Sequence, residues 1–291
     1  MTRAGDLLTI EELIARAELE PSLIDVYVEG ESDAAVFRAI FAELGIDAAV
    51  FPVRTRLDIR RAEVDPYSSE YGNRTMLITA AMRADAALRP SNTSLTFVID
   101  ADWAQAVGPI QIPLPGLISS DLPSMEHYFL EDRSLRRFLT LGLMKPDLNV
   151  SEVKAKLKGC LQDIAAARLT LENFNIACVT KIAAVCDFTS TPTTANADEL
   201  VRLSFDKVPR ASRPVEFATA RTLVPGYRQL VTDADHPGRG HDIAPLLISM
   251  LSLTGQLSDP EMVETLMRAS SVPSELLEYQ FFRDVATRVA A

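Results

Sequence analysis

The chain has 291 residues, 47% hydrophobic and 24% charged, which is enough apolar side chain for a core and too balanced a mixture for a disordered chain. Its net charge of -11 argues against a protein that holds nucleic acid by bulk charge alone, and no apolar run approaches the roughly 20 residues of a membrane span. The start, "MTRAGDLLTIEELIARAELE", has neither the charged lead nor the long apolar stretch of a signal peptide, and Cys160, Cys178 and Cys186 show no paired-ligand spacing, so a cytoplasmic protein with reduced thiols is expected.

The first element is a helix announced by "TIEE", a capping box with Thr9 as N-cap and Glu12 reaching back. "LIDVYV" (23–28) is short, β-branched and bounded by Pro21 and Gly30, which predicts a strand. From Ser32 to Leu44, Phe37, Ile40, Phe41 and Leu44 follow the helical period, and Gly45 supplies the stop. "AAVFPV" (48–53) predicts a second strand; Pro52 cannot donate to a ladder, so it needs an edge position or a strand end. Residues 55–71 are polar and turn-rich. "NRTMLITAAMRADAAL" (73–88) predicts a helix closed by Pro90, and "LTFVID" (95–100) is the clearest strand, apolar throughout as when both faces are covered. "GLISS" (116–120) is a weaker fourth strand. This alternation implies an open, mostly parallel α/β sheet with right-handed crossovers, whose ligands sit beyond the carboxyl ends of the strands.

After about residue 125 the texture becomes helical: "SLRRFLTLGL", "VSEVKAKLKGCLQDIAAA", "HDIAPLLISMLSL" and "PEMVETLMRA". The sequence therefore divides into a core at 1–130 and a helical region at 131–291. Residues 1–130 hold 10 Lys and Arg against 20 Asp and Glu, residues 131–221 hold 14 against 11, and residues 222–291 hold 5 against 9. The acid excess lies in the first part. The mildly basic middle, with Arg133, Arg136, Arg137, Lys154, Lys156 and Lys158, suits contacts to phosphates or a partner protein.

Acids gather where strands end. Glu29 follows the first strand, Asp33 lies four residues on, Asp100 and Asp102 follow the strand "LTFVI", and Glu126 follows the fourth strand in "DLPSMEHYFL". Each alone reads equally as a helix cap or a solvated loop residue, Asp33 above all. Together on one rim they repel, so one pKa rises or a cation neutralises the site. Oxygen-only ligands suit Mg²⁺ or Mn²⁺, which bind phosphate oxygens and activate water. The histidines and cysteines lack zinc-ligand spacing, and without a Gly-rich phosphate loop the chain is not itself an ATPase.

"VYVEGESDAAVF", "TFVIDADW", "SMEHYFL" and "GRGHDIAPLL" together resemble the TOPRIM domain. The resemblance is to the branch of small TOPRIM-like proteins encoded beside ABC-type ATPases, which includes effectors of PARIS-type anti-phage defence systems and is related to overcoming-lysogenization-defect nucleases. It covers about 24–130, with the "GHD" near 240 a weaker match. By this resemblance Glu29, Asp100 and Asp102 are metal ligands, and Asp33 and Glu126 serve a second ion or the attacking water. It implies a Mg²⁺- or Mn²⁺-dependent nuclease, a toxic effector cutting RNA (tRNA in the effectors it resembles) rather than DNA. RNA is favoured over DNA by the resemblance, while the sequence itself leaves the choice between them open; the resemblance further implies an ABC-type ATPase partner and a homodimer when free. Arg74 and Lys181 are candidates for a cation near the scissile phosphate. His241 is a weaker substrate-side candidate, beside an Asp242 that suits a helix cap. Two other readings remain: an inactive TOPRIM-like sensor subunit, and a Mg²⁺-dependent phosphoryl-transfer enzyme acting on a small molecule.

Overall fold

The structure, a computed structural model, describes residues 7–61, 63–64, 72–89, 93–103, 114–232, 234 and 236–290. Pro90 and residues 65–71 of the turn-rich segment lie outside the described residues. The chain divides into two units: Met1–Ala101, Ile110–Asp121 and Val272–Ala291 form the first, and Asp102–Pro109 with Leu122–Ser271 the second. That division runs through different residues from the 1–130 and 131–291 division read from the sequence, because the last twenty residues return to the first unit.

In the first unit helix α1 (Ile10–Leu19) leads into strand β1 (Asp25–Val28), helix α2 (Glu31–Leu44), strand β2 (Ala49–Pro52), the short helix α3 (Val53–Arg56), helix α4 (Asn73–Ala87), and strands β3 (Leu95–Ile99) and β4 (Leu117–Ser119). The capping box of α1 is formed: Glu12 N–H donates to Thr9 Oγ1 at 3.2 Å and Thr9 N–H to Glu12 Oε2 at 2.8 Å. Gly45 closes α2 in the left-handed region at φ 67°. The four strands form one parallel sheet in the order β2-β1-β3-β4. Pro52 is the last residue of an edge strand, where its missing N–H costs no ladder bond.

The order has a consequence for the faces. The crossover through α2 moves outward from β1 to β2, and the next, through α4, moves back past β1 to β3. Right-handed crossovers running in opposite directions put their helices on opposite faces. The packing agrees. On one face Tyr27, Phe97 and Ile99 join Ile10, Leu13, Leu77 and Ala80 of α1 and α4 in one buried cluster. On the other, Phe37 of α2 meets Phe281 and Phe282 of the C-terminal helix Gln280–Ala290, with ring centroids 5.8 and 5.7 Å apart. With both faces covered, every residue of β1 and β3 is buried. The one charge among them, Asp25, is neutralised by Arg16 of α1 at 2.6 Å and accepts from the Tyr27 hydroxyl at 3.1 Å. Burial and that carboxylate hold the Tyr27 phenol protonated far above its usual range.

In the second unit the sequence expectation of helices holds. Met125–Tyr128 (α5), Asp132–Arg137 (α6), Val150–Glu172 (α7), Ala197–Lys207 (α8), Phe217–Arg221 (α9), Val224–Thr232 (α10), Ile243–Met250 (α11) and Pro260–Ala269 (α12) are helical, and a two-stranded antiparallel ribbon joins Cys186–Asp187 to Thr194–Ala195. The long α7 is the hub, packing against α8, α10 and α11. It approaches the ribbon at Gly159, where an added Cβ would lie 2.2 Å from the Thr193 carbonyl oxygen. The three cysteines are free. Among the described residues no helix is long and apolar enough to cross a membrane.

Two glycine substitutions separate packing from propensity. Gly159→Ala must push backbone aside and is expected to cost about 3 kcal/mol. Gly226→Ala, in α10 with open space around the new methyl, is expected to gain up to ~1 kcal/mol. Urea denaturation of both variants checks the pair; equal midpoints would refute the close approach at Gly159.

Candidate functional site

Glu29 and Asp100 sit one residue beyond β1 and β3, which are parallel neighbours, so both leave the sheet at the same edge. The structure brings them together: the Asp100 N–H donates to Glu29 Oε1 at 3.1 Å. Helix α4 begins beneath them. Asn73 Nδ2 donates to the Glu29 carbonyl at 2.7 Å, and Arg74 Nη1 donates to the Asp100 carbonyl. The first turn of α4 thus fixes the backbone of both acids. It also gives Arg74, considered as a phosphate contact, a part in holding this rim.

Asp33 lies in the first turn of α2, and its Oδ2 accepts the Gly30 N–H at 2.9 Å. That is the helix-capping geometry open to it from the sequence. Glu31 is exposed and lies 3.4 Å from Arg38.

Asp102 and Glu126 belong to the second unit. Asp102 has φ 48°, a left-handed conformation that aspartate tolerates better than most residues, and its N–H donates to the Pro123 carbonyl at 2.9 Å. Glu126 is in α5 and keeps only 7% of its surface exposed. Among the described residues its carboxylate receives no hydrogen bond; its charged neighbour is His241, whose Nδ1 lies 3.9 Å from Glu126 Oε1. The same Nδ1 is 3.5 Å from Glu264 Oε1 of α12. One ligand atom from each of Glu126, His241 and Glu264 falls within 4.8 Å of the other two. The Glu264 contact, aided by the Glu126 charge, holds the His241 imidazole at about 9, although most of the ring meets solvent.

The turn carrying His241 is held tightly. Asp242, read from the sequence as a helix cap, makes no side-chain capping bond; it is buried and takes a forked pair of hydrogen bonds from Arg168 of α7, at 2.7 and 2.5 Å. Gly240 lies so close beneath Glu126 that a Cβ there would fall 1.9 Å from Glu126 Oε2 and 2.1 Å from Ser124 Oγ. Ser124 Oγ is itself 3.0 Å from His127 Nδ1. Burial, with repulsion from His236, lowers His127 to about 4, so it is neutral.

Lys181 is exposed in the second unit. Of the mildly basic stretch, Lys154 pairs with Asp132 at 2.8 Å and Arg137 Nε donates to the Ser270 carbonyl at 2.7 Å, so part of that charge is spent within the fold. Sequence reasoning missed Glu264 and Arg168. Glu264 follows buried Val263 in an ordinary amphipathic helix, and no local pattern ties it to Glu126 or His241. No protein-family model and no curated protein matches the chain.

The Arg168–Asp242 pair is testable through stability. Arg168→Met strands a buried carboxylate and is expected to cost about 3–5 kcal/mol. The double variant Arg168→Met/Asp242→Asn, which also removes the charge, is expected to recover part of that loss. Urea unfolding of wild type and both variants checks this, and a double variant no more stable than the single would contradict a buried charge pair.

Proposed function

We propose that the chain is a divalent-metal-dependent nuclease that hydrolyses phosphodiester bonds. The observation that carries this reading is the contact of Glu29 and Asp100 at the carboxyl ends of β1 and β3. The strand order β2-β1-β3-β4 reverses direction between those two strands, and the crevice at such a reversal is where open parallel sheets bind ligands. Two carboxylates on rigid strand ends offer hard oxygen donors suited to Mg²⁺ or Mn²⁺. Such an ion, when bound, supplies polarisation of a phosphoryl oxygen and a more acidic water. The chain's own residues do the rest: Asn73 and Arg74 bond to the Glu29 and Asp100 carbonyls and so hold the two backbones in register. The likeness of the "EGESD" and "DAD" stretches to TOPRIM nucleases supports the same reading. The parts assigned to Asp102, Asp33 and Glu126 rest on that likeness.

The same likeness extends the proposal to regulation. The chain is read as the toxic effector of an anti-phage system, acting on RNA, restrained by an ABC-type ATPase and self-associating when released. The charge of -11 fits an effector that meets a polyanion weakly by itself, since each phosphate contact needs a cation and the excess acid repels. Co-expression with such an ATPase, followed by pull-down and light scattering of the free chain, checks this; a monomer that never co-purifies refutes it.

The chemistry is tested with Glu29→Gln, which keeps the Oε1 acceptor for Asp100 N–H and removes the charge. With tRNA and single-stranded DNA as probes, cleavage of the tRNA should need Mg²⁺ or Mn²⁺ and stop with chelator. Glu29→Gln and Asp100→Asn should each lose at least ~100-fold in rate, while Glu31→Ala, at an exposed position, cuts like wild type. Metal-independent cleavage, or a fully active Glu29→Gln, would overturn the reading.

A further inference from the structure

We propose that Glu126, His241 and Glu264 form a second metal centre, one that takes a transition-series divalent ion of the Zn²⁺ kind rather than Mg²⁺. All three residues lie in the second unit; Glu126 is also the acid that the TOPRIM likeness assigns to the nuclease reading, so the two readings share that residue, while His241 and Glu264 belong to this one alone.

The starting point is a buried carboxylate without a donor. Glu126 is more than nine-tenths buried, and no hydrogen bond reaches its carboxylate among the described residues. A charge withdrawn from water must find a partner or its burial is costly. The neighbouring imidazole offers Glu126 a charge at 3.9 Å but no hydrogen bond. His241 Nδ1 carries at most one proton, and at 3.5 Å from Glu264 and 3.9 Å from Glu126 that proton serves Glu264 first. Glu126 is left facing a nitrogen beyond hydrogen-bond reach. A dication between the three ligand atoms meets both carboxylates at once, and two carboxylates with a neutral imidazole balance its charge.

The geometry and the ligand set agree with this. Ligands about 2.0–2.2 Å from an ion stand roughly 3.0–3.5 Å from one another. The atoms here lie within 4.8 Å, so small side-chain rotations close the site. An imidazole nitrogen favours zinc over magnesium, which prefers oxygen and water alone. With three protein ligands and His241 largely in solvent, the ion keeps open positions, the pattern of a reactive rather than a purely structural centre.

The support is also built. Gly240 has no side chain because Glu126 Oε2 and Ser124 Oγ occupy that space. Arg168 grips Asp242, the next residue after His241, with two hydrogen bonds. The segment that carries the imidazole is therefore fixed on both sides before any ion arrives.

The test is metal uptake by the full chain after chelation, followed by calorimetry with Zn²⁺ and by the visible absorption of Co²⁺ as a reporter of imidazole coordination. Wild type should take up Zn²⁺ and show the Co²⁺ bands. His241→Ala and the isosteric Glu264→Gln should each weaken Zn²⁺ binding at least ~10-fold, the loss that even residues supporting a ligand produce, and should abolish the bands. Circular dichroism melting confirms folding, and the exposed His241 ring can be removed without opening a core. Asp100→Asn should retain Zn²⁺ uptake whether or not it cleaves nucleic acid, so failure of the nuclease reading and failure of this one are distinguishable. A wild-type chain that takes up no Zn²⁺, or variants that bind it as tightly as wild type, would overturn the proposal.

Discussion

The parallel pairing of β1 with β3 is the constraint on which the first unit depends. These strands are adjacent in the sheet but separated in sequence by β2 and its two crossovers. The chain must go out through α2 and return through α4, and a fixed crossover handedness then covers both faces. Covering both faces is what permits a fully buried β1 and β3, with Tyr27 and Phe97 stacked at 5.5 Å between centroids. It also leaves one strand-end crevice uncovered by either crossover, and Glu29 and Asp100 stand there. The core and the candidate site follow from one topological decision.

Among the described residues three of the four buried carboxylates have a cation within hydrogen-bond reach, and the fourth is informative. Asp25 is matched by Arg16, Asp242 by Arg168, and Asp163 by the Arg228 guanidinium at 2.9 Å with its other oxygen accepting the Ala195 N–H at 2.8 Å. Burial still raises the Asp163 carboxyl above its usual range. Against that background a buried Glu126 without a donor stands apart, and the mixed oxygen and nitrogen ligands around it suggest why. Stability arguments count such a group as a cost, and functional arguments count it as a site.

The two proposed centres would differ in chemistry as well as in ligands. The pair at the sheet edge is all-oxygen and set on strand ends, the arrangement for a hard ion that meets phosphate. The trio around His241 draws on the short α5, a tight turn and α12, and its imidazole shifts preference toward softer ions. Selectivity of this kind comes from donor type and geometry and does not require any difference in net charge.

Much of the first unit was legible in the sequence, for physical reasons that are local. A fully buried strand must be apolar throughout, so "LTFVI" announced β3; a helix must be capped, so Thr9 and Gly45 announced α1 and the end of α2. Proline cannot donate to a ladder, so Pro52 announced a strand end at an edge. Acids at strand ends could be named because parallel strands all leave the sheet at one rim. What the sequence left open was which of those acids meet, since strand order is set by packing and not by any local signal; only the pairing of β1 with β3 joined Glu29 to Asp100. The division of the chain was also a tertiary decision. Phe281 and Phe282 return to Phe37 because apolar rings far apart in sequence bury each other once the sheet exists. Glu264, Arg168 and the exclusion of any side chain at Gly240 were invisible for the same reason: each acts on a residue brought near only by folding, and no spacing rule spans contacts between separate segments.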